Sequence, residues 1–215
     1  MQQSDEIPRE IIRVMTVDDH PIFRDGLSAL LAFYPDMNLV AEAGDGARAI
    51  ELYRVHRPDV TLMDLSMPGV GGVAAIQAII AEAPNARIIA LTTYDGDVDI
   101  RRALEAGARG YLLKDALRNH IADAIRVVHR GQRVIPPAVA GRLAEFTPTL
   151  ELTEREVEVL GHLATGMSNK EIAKAIGRTE ATVKVHVMHV LRKLGVDDRT
   201  AAVATGLKRG IIHLD

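Results

Sequence analysis

Three carboxylates, a hydroxyl and an amine in this sequence could together do chemistry, because each comes directly after a short apolar segment. They are Asp18, Asp19, Asp64, Thr92 and Lys114. Carboxylates gathered in one place repel one another, so such a group is usually neutralised by a cation or a proton. Oxygen ligands favour Mg²⁺, which also binds substrate phosphate. The set therefore indicates a magnesium site that handles a phosphoryl group.

Within this set, Asp64 is the candidate nucleophile, since a carboxylate can take up a phosphoryl group as an aspartyl phosphate. Lys114 and the metal would stabilise the phosphoryl oxygens, and the Thr92 hydroxyl would hydrogen-bond one of them. Taken singly, each residue has a more ordinary interpretation. Asp18 or Asp19 alone is typical of a helix cap, and Lys114 alone is typical of a solvated surface. Their shared position at strand ends is what favours a site.

The segments that position these residues alternate between two patterns in the first part of the chain. Runs of branched apolar residues occur at 11–17, 38–43, 60–63, 87–91 and 110–113, and segments with helical spacing occur at 21–32, 47–56, 73–83, 98–106 and 120–130. This alternation predicts an α/β fold with a five-stranded parallel sheet covered on both faces. If the strand order is 2-1-3-4-5, the ends of the first, third and fifth strands converge on a ligand-binding crevice.

Composition limits the class of protein. The chain has 215 residues and no cysteine, so two small domains fit the length, while disulfides and thiolate metal sites are excluded. The polar segment 1–10 lacks the pattern of a signal peptide, and no apolar run suggests a membrane span. We therefore expect a cytoplasmic protein. The net charge of −3 also argues against a chain that is basic throughout.

The composition changes after the predicted sheet domain. Residues 131–150 contain three prolines and two glycines and are predicted to form a linker, with a short helix at 138–145. After it the pattern is wholly helical. Thr153 with Glu156, and Ser168 with Glu171, are typical of capping boxes at helix starts. A longer third helix is predicted over 180–194, and a fourth begins near Asp198.

This third helix combines an apolar stripe with a basic face. The stripe is formed by Val183, Val187, Val190, Leu191 and Leu194, which recur at spacings of three and four. The other face carries Ala181, Val185, Met188, His189 and Arg192, flanked by Lys184 and Lys193. Six Lys or Arg against two Glu over 168–193 would suit a nucleic-acid surface. Periodicity alone, however, favours a small helical bundle with a solvated basic face.

The preceding helix adds two candidates. Asn169 and Lys170 stand near its start, where backbone N–H groups favour a phosphate. In such a pair of helices the first lies across the DNA backbone, and the second enters the major groove.

Residues around the acidic set resemble the receiver domain of two-component response regulators. They are Val-Asp-Asp-His at 17–20, Met-Asp-Leu-Ser-Met-Pro-Gly at 63–69, Leu-Thr-Thr at 91–93 and Tyr-Leu-Leu-Lys at 111–114. The resemblance implies that a histidine kinase phosphorylates Asp64, and that Asp18, Asp19, Asp64 and the Ser66 carbonyl serve a Mg²⁺ site. It also implies that Thr92 and Tyr111 change rotamer when phosphate arrives.

The C-terminal part resembles the NarL/LuxR type of helix-turn-helix domain. The matching runs are Leu-Thr-Glu-Arg-Glu-Val-Glu-Val-Leu at 152–160, Ser-Asn-Lys-Glu-Ile-Ala at 168–173, Thr-Val-Lys-Val-His at 182–186 and Leu-Arg-Lys-Leu-Gly-Val at 191–196. The resemblance implies binding to double-stranded DNA, with Lys184, Val185 and Met188 facing the groove. The whole predicted DNA-binding set is Asn169, Lys170, Thr182, Lys184, Val185, Met188, His189, Arg192 and Lys193.

The resulting hypothesis is a phosphorylation-dependent transcriptional regulator that is not an enzyme and forms a homodimer when phosphorylated. Its predicted parts are a tail at 1–10, a flavodoxin-like receiver at 11–130, a linker at 131–150 and a four-helix DNA-binding domain at 151–215. One alternative is a phosphatase with an aspartyl-phosphate intermediate, although Ser66 occupies the position where such enzymes place a second Asp. Another is a regulator whose receiver is vestigial and never phosphorylated.

Overall fold

A computed structural model describes residues 11–93, 96–135, 140 and 152–213. The chain divides into two compact units, one made of residues 1–93 and 101–137 and the other of residues 94–100 and 138–215. The short helix predicted at 138–145 falls, apart from Ala140, outside the described residues, as does most of the predicted linker.

The first unit contains a parallel sheet of five strands. The strands are β1 (Ile12–Val17), β2 (Met37–Ala43), β3 (Val60–Asp64), β4 (Ile88–Thr92) and β5 (Gly110–Leu113). Their order across the sheet is β2-β1-β3-β4-β5, with every neighbouring pair parallel. The predicted doubly wound, flavodoxin-like fold and its strand order are confirmed.

Helices cover the sheet. They are α1 (Pro21–Leu31), α2 (Gly46–His56), α3 (Gly72–Glu82), α4 (Asp97–Glu105) and α5 (Leu117–His129), and a short 3₁₀ turn occupies Lys114–Ala116. Every residue of β3 and β4 is buried, as expected for strands packed on both faces. The core is aliphatic: Leu62 and Leu91 pack with Ile121 and Ile125 of α5. Burying each such side chain contributes about 1.5–3 kcal/mol.

Over residues 152–213, the second unit contains four further helices, α6 (Glu154–Ala164), α7 (Asn169–Ala175), α8 (Glu180–Leu194) and α9 (Arg199–Lys208). Both predicted capping boxes are present, at the starts of α6 and α7. Gly195 ends α8 with a φ of 69°, a left-handed conformation that glycine adopts without strain. Asp198 caps α9 through a hydrogen bond from the Ala201 N–H.

The apolar stripe of α8 forms part of the core of the helical domain. Val183 and Val190 are fully buried and pack with Leu160 of α6, Ile172 of α7 and Ala202 of α9. The other stripe members, at 187, 191 and 194, are partly buried against the same cluster. The predicted periodicity is therefore confirmed. Among the described helices, none has the length and apolar character that a membrane crossing requires.

Candidate functional site

The ends of β1, β3 and β5 bring three predicted residues into direct contact. Asp18 follows β1, whose Val17 is in register with Met63 of β3, and Asp64 is the last residue of β3. Lys114 begins the 3₁₀ turn that follows β5. Its Nζ lies 2.6 Å from Asp18 Oδ2 and 2.8 Å from Asp64 Oδ2. A lysine ammonium thus bridges two carboxylates at the carboxyl edge of the sheet.

Burial determines the electrostatics of this triad, since the side chains of Asp18 and Asp64 are 0% and 1% exposed. Desolvation raises the pKa of Asp64, and the nearby Asp18 charge acts in the same direction, against the lowering effect of Lys114. Burial alone would lower the pKa of Lys114, but its hydrogen bonds to Asp18 and Asp64 outweigh this and raise that pKa. Lys114 is therefore held as a cation.

Two more ligand-type side chains complete the pocket, and only one of them was predicted. Asp19 is partly exposed, and its Oδ1 lies 2.8 Å from Nδ1 of His20, which in turn lies 3.3 Å from Asp18 Oδ1. One ligand atom from each of Asp18, Asp19, His20 and Asp64 lies within 4.8 Å of all the others. His20 was not among the predicted ligands, although its position directly after two acids was a usable signal.

The donor set of this pocket fits a hard divalent cation. Asp18 Oδ2 and Asp19 Oδ1 are buried, and Lys114 Nζ and His20 Nδ1 lie 2.6 Å and 2.8 Å from them. The pocket gathers three carboxylates, and the Lys114 ammonium balances only one of their charges. Excess buried negative charge is costly unless a cation neutralises it. The predicted side chains, Asp18, Asp19 and Asp64, are therefore gathered as a Mg²⁺ site requires.

The loop after β3 is held close to Asp64 by a glycine. The backbone N–H of Ser66 donates to Asp64 Oδ1 at 3.2 Å, so the predicted Ser66 carbonyl belongs to a residue that turns beside the carboxylate. The first residue of α3, Gly72, packs so tightly that a Cβ there would lie 1.9 Å from the Asp64 carbonyl oxygen. Only glycine permits this approach of α3 to the end of β3.

The predicted switch pair, Thr92 and Tyr111, is fully buried. Tyr111 is in register with Ala90 of β4, two residues before Thr92. Because side chains alternate along a strand and register partners share a face, Thr92 and Tyr111 lie on one face of the sheet. Leu91, adjacent to Thr92, is in register with Asp64. Thr92 therefore stands on the strand next to that of Asp64, and Tyr111 stands on the strand beyond it.

The outer face of α8 presents most of the predicted DNA-binding residues to solvent. Lys184 and Arg192 are exposed, and the apolar Val185 and Met188 are 47% and 57% exposed. Thr182 is half-buried, and its hydroxyl lies 2.9 Å from that of Thr179, the residue that caps α8. At the start of α7, Asn169 is half-buried and Lys170 exposed. Exposed aliphatic groups among cations suit contacts with base edges and phosphates.

Two predicted DNA contacts instead have a partner inside the helical domain. Lys193 Nζ lies 2.6 Å from Oε2 of the buried Glu156, and the Lys193 side chain is only 14% exposed. His189 Nδ1 lies 3.7 Å from Oε1 of the same carboxylate. Burial acts to raise the pKa of Glu156, but hydrogen bonds from Lys193 and Thr153 outweigh it and lower that pKa. These contacts favour a structural role for Lys193, tying α8 to α6.

Models of two protein families match the two parts of the chain. The response regulator receiver domain matches residues 14–126, and the family of bacterial regulatory proteins called luxR matches residues 150–205. The chain belongs to the NarL/LuxR family of response regulators. Members of this family regulate transcription, and the chain is accordingly a transcriptional response regulator.

Full-length relatives share this organisation. The nitrate/nitrite response regulator protein NarP of Escherichia coli is 43% identical over 204 residues, which cover 92% of this chain and 95% of NarP. The crystal structure of the response regulator ChrA of a heme-sensing two-component system is 41% identical, with a TM-score of 0.57, and the match covers 94% of this chain and 100% of ChrA. An RcsB–DNA complex is 27% identical, with a TM-score of 0.65, over 92% of this chain and 98% of RcsB.

Proposed function

We propose that Asp64 accepts a phosphoryl group from a sensor histidine kinase, and that this modification controls DNA binding by the helical domain. The observation that carries the proposal is the triad at the sheet edge, in which Lys114 Nζ lies 2.8 Å from Asp64 and 2.6 Å from Asp18. A buried carboxylate beside a fixed ammonium and a second carboxylate is suited to receive a phosphoryl group. The proposed domain boundaries are 11–130 for the receiver and 151–215 for the DNA-binding domain.

The chemistry of transfer follows from these groups. An Asp64 carboxylate oxygen forms a bond to phosphorus while the bond from phosphorus to the kinase histidine nitrogen breaks, and that nitrogen keeps the electron pair. Lys114 stays protonated and donates to a phosphoryl oxygen. The Thr92 hydroxyl approaches another, and Tyr111 reorganises behind it on the same face of the sheet.

Asp18, Asp19, Asp64 and the Ser66 carbonyl would hold Mg²⁺ in the same pocket. When bound, Mg²⁺ supplies positive charge that neutralises the carboxylates and the phosphoryl oxygens. The excess of carboxylates over the Lys114 ammonium in this pocket supports this assignment.

The kinase is proposed to approach along α1, beside the pocket. Ile22 on this helix and Phe33, two residues after its last residue, are 88% and 79% exposed, although both are apolar. A cavity of about 670 Å³ runs along α1 and is lined by Phe23 and Lys114 among others, so it reaches the triad. A partner that must bring a phosphohistidine to Asp64 needs an adjacent surface of this kind.

The receiver takes part in one transfer and does not turn over a substrate, so we do not class the chain as an enzyme. A phosphatase would need a general acid two positions after the nucleophile, and Ser66 stands there. We therefore expect at most one phosphate retained on each chain.

For DNA binding, the proposed contact set is Asn169, Lys170, Thr182, Lys184, Val185, Met188 and Arg192, with His189 at its edge. The structural neighbour described as an RcsB–DNA complex supports double-stranded DNA as the partner, and another, described as two RcsB dimers bound to two parallel DNAs, supports a homodimer. Two helix-turn-helix domains would engage two half-sites. A regulator of this kind works beside the chromosome, which places it in the cytoplasm.

Intact mass measurement after incubation with acetyl phosphate and Mg²⁺ tests the proposal. We expect the full chain to gain the mass of one phosphoryl group, and Asp64→Ala to gain none. No gain on the wild-type chain would support the vestigial receiver instead. Equal labelling of Asp64→Ala would show that another residue accepts the phosphate.

A further inference from the structure

His20 contributes a nitrogen to the acidic pocket that the proposed transfer does not use. Its Nδ1 lies 2.8 Å from Asp19 Oδ1 and 3.3 Å from Asp18 Oδ1. The side chain is nevertheless 70% exposed. One ring nitrogen therefore stands against the two carboxylates while the rest of the imidazole faces solvent.

The local sequence fixes this orientation through the backbone. Pro21 occupies the start of α1, and a residue that precedes proline is restricted to extended conformations. His20 accordingly has φ −90° and ψ 109°, and its N–H donates to Asp18 Oδ1 at 2.9 Å. The imidazole makes no capping hydrogen bond to α1. Its position is thus set by the chain, and its nitrogen is not needed to start the helix.

The spacing of the donor atoms matches coordination around one ion. Adjacent ligands of an octahedral cation with bonds of about 2.1 Å lie about 3 Å apart. The distances from His20 Nδ1 to the two carboxylate oxygens bracket this value. Lys114 contacts the other oxygen of Asp18, Oδ2, together with Asp64 Oδ2. Asp18 Oδ1, Asp19 Oδ1 and His20 Nδ1 therefore form a group around the Asp18 oxygen that is not the one 2.6 Å from the lysine.

We infer that His20 Nδ1 is a ligand of the cation in this pocket and shifts the preference of the site from Mg²⁺ towards first-row transition-metal dications such as Co²⁺ and Mn²⁺. The inference rests on the proposed metal site. Mg²⁺ prefers oxygen ligands, whereas imidazole nitrogen favours transition metals. With His20 as a fifth ligand, the pocket distinguishes among dications, and the metal available in the cell affects how readily Asp64 is phosphorylated.

Calorimetric titration of the full chain with Co²⁺ and with Mg²⁺ tests the selectivity. We expect His20→Asn to weaken Co²⁺ binding by about tenfold or more, the effect typical of losing a group that supports a metal site. Mg²⁺ affinity should change by less than about twofold, since the oxygen ligands remain. His120→Asn, which changes an exposed histidine on α5, is the matched control and should alter neither affinity. Equal losses of affinity for Co²⁺ and Mg²⁺ in His20→Asn would overturn the inferred selectivity.

Electron spin echo spectroscopy of the Mn²⁺-loaded chain tests ligation directly. We expect a ¹⁴N coupling from a coordinated imidazole in the wild type and in His120→Asn, and its loss in His20→Asn. Bound Mn²⁺ without that coupling in the wild type would overturn the inference, because Nδ1 would then lie beside Asp19 without coordinating the metal. That result leaves the proposed metal site intact. The metal site itself fails if wild type and Asp18→Asn bind Mn²⁺ equally weakly.

Discussion

At the scale of single residues, the acidic pocket that serves the proposed phosphoryl transfer also lowers the stability of the receiver. Burial and the Asp18 charge raise the pKa of Asp64, so ionising Asp64 is less favourable in the folded chain than in the unfolded one. A raised folded-state pKa means stability that is fully present below the ordinary value of 3.8 and is lost as pH rises through the folded value. At neutral pH the ionised Asp64 therefore destabilises the receiver.

We predict that Asp64→Asn raises the thermal unfolding midpoint of the receiver by a few degrees at pH 7 in the presence of a chelator. The amide removes a buried charge while Lys114 keeps its ion pair with Asp18. The gain should shrink as pH falls towards the ordinary carboxyl value of 3.8, because the wild-type carboxyl then takes up a proton. Circular dichroism melting checks this, with Asp25→Asn on the exposed part of α1 as the control. An unchanged or lower midpoint would contradict the assigned electrostatics.

Glu156 shows the opposite effect, since its ionised form stabilises the helical domain. Its pKa is lowered because the hydrogen bonds from Lys193 and Thr153 outweigh the effect of burial. A lowered folded-state pKa contributes stability that is present above the ordinary value of 4.5 and is lost as pH falls through the folded value. The pair also joins α6 to α8, since Lys193 belongs to α8.

We predict that Glu156→Gln lowers the stability of the helical domain by about 1–3 kcal/mol at pH 7, the range for a lost cap combined with a lost charged hydrogen bond. The difference from wild type should narrow below pH 4.5. Hydrogen exchange measured by mass spectrometry on α6 and α8 locates the effect. Glu158→Gln, an exposed position on the same helix, should change exchange little. Equal effects of the two variants on hydrogen exchange would argue against the Lys193–Glu156 ion pair as a link between α6 and α8.

At the scale of elements, the start of α3 fixes the position of Asp64, the proposed phosphate acceptor. A Cβ at Gly72 would lie 1.9 Å from the Asp64 carbonyl oxygen and 2.8 Å from Leu65 Cα, whereas at Gly71 the nearest atom would be 3.8 Å away. Backbone atoms cannot move aside as flexible side chains can. Position 72 therefore excludes a side chain, whereas position 71 accepts one.

We predict that Gly72→Ala destabilises the receiver by about 2 kcal/mol or more, as overpacking against a fixed neighbour does, and slows phosphorylation of Asp64. Gly71→Ala, one residue away, is the control and should behave like wild type. Labelling rates with acetyl phosphate, together with thermal melting, measure both effects. Similar behaviour of the two variants would show that the end of β3 is not held by this contact.

The exposed face of α8 provides a second test at this scale. Lys184 is exposed and forms an ion pair with Glu180 at 3.0 Å, a surface interaction of little strength. We predict that Lys184→Ala weakens DNA binding several-fold and reduces the salt slope of affinity by about one, as the loss of one phosphate contact does. Fluorescence anisotropy at several salt concentrations measures this. Lys208→Ala, an exposed lysine on α9, should leave both values unchanged.

Periodicity and strand ends predicted the elements well, because they report which face each segment buries. The run of apolar residues in β3 required burial on both sides, and Asp64 at its end could only lie at the sheet edge. Partners of individual side chains were harder to foresee. Lys193 was expected at the DNA because nothing in a helical pattern reveals that Glu156, 37 residues earlier, lies beneath it. His20 was missed because its role depends on distances to Asp18 and Asp19.

At the scale of the whole molecule, phosphorylation of Asp64 in the receiver is proposed to change DNA binding by the helical domain. A phosphoryl group adds about −1.5 to −2 charges near neutral pH if it titrates like other phosphorylated side chains. Moving a two-state equilibrium from mostly off to mostly on requires roughly 5 kcal/mol of differential stabilisation. Dimerisation on two half-sites would supply part of this free energy. The receiver and the DNA-binding domain are therefore expected to act as one switch.

The central claim is that phosphate on Asp64 changes the affinity of the helical domain for DNA. The direct measurement is binding of the full chain to its chromosomal sites, isolated by genome-wide mapping, before and after acetyl phosphate treatment, with labelling verified by intact mass. We predict a clear affinity change for the wild-type chain and none for Asp64→Ala. Stoichiometric labelling of Asp64 with identical DNA affinity in both states would contradict the account.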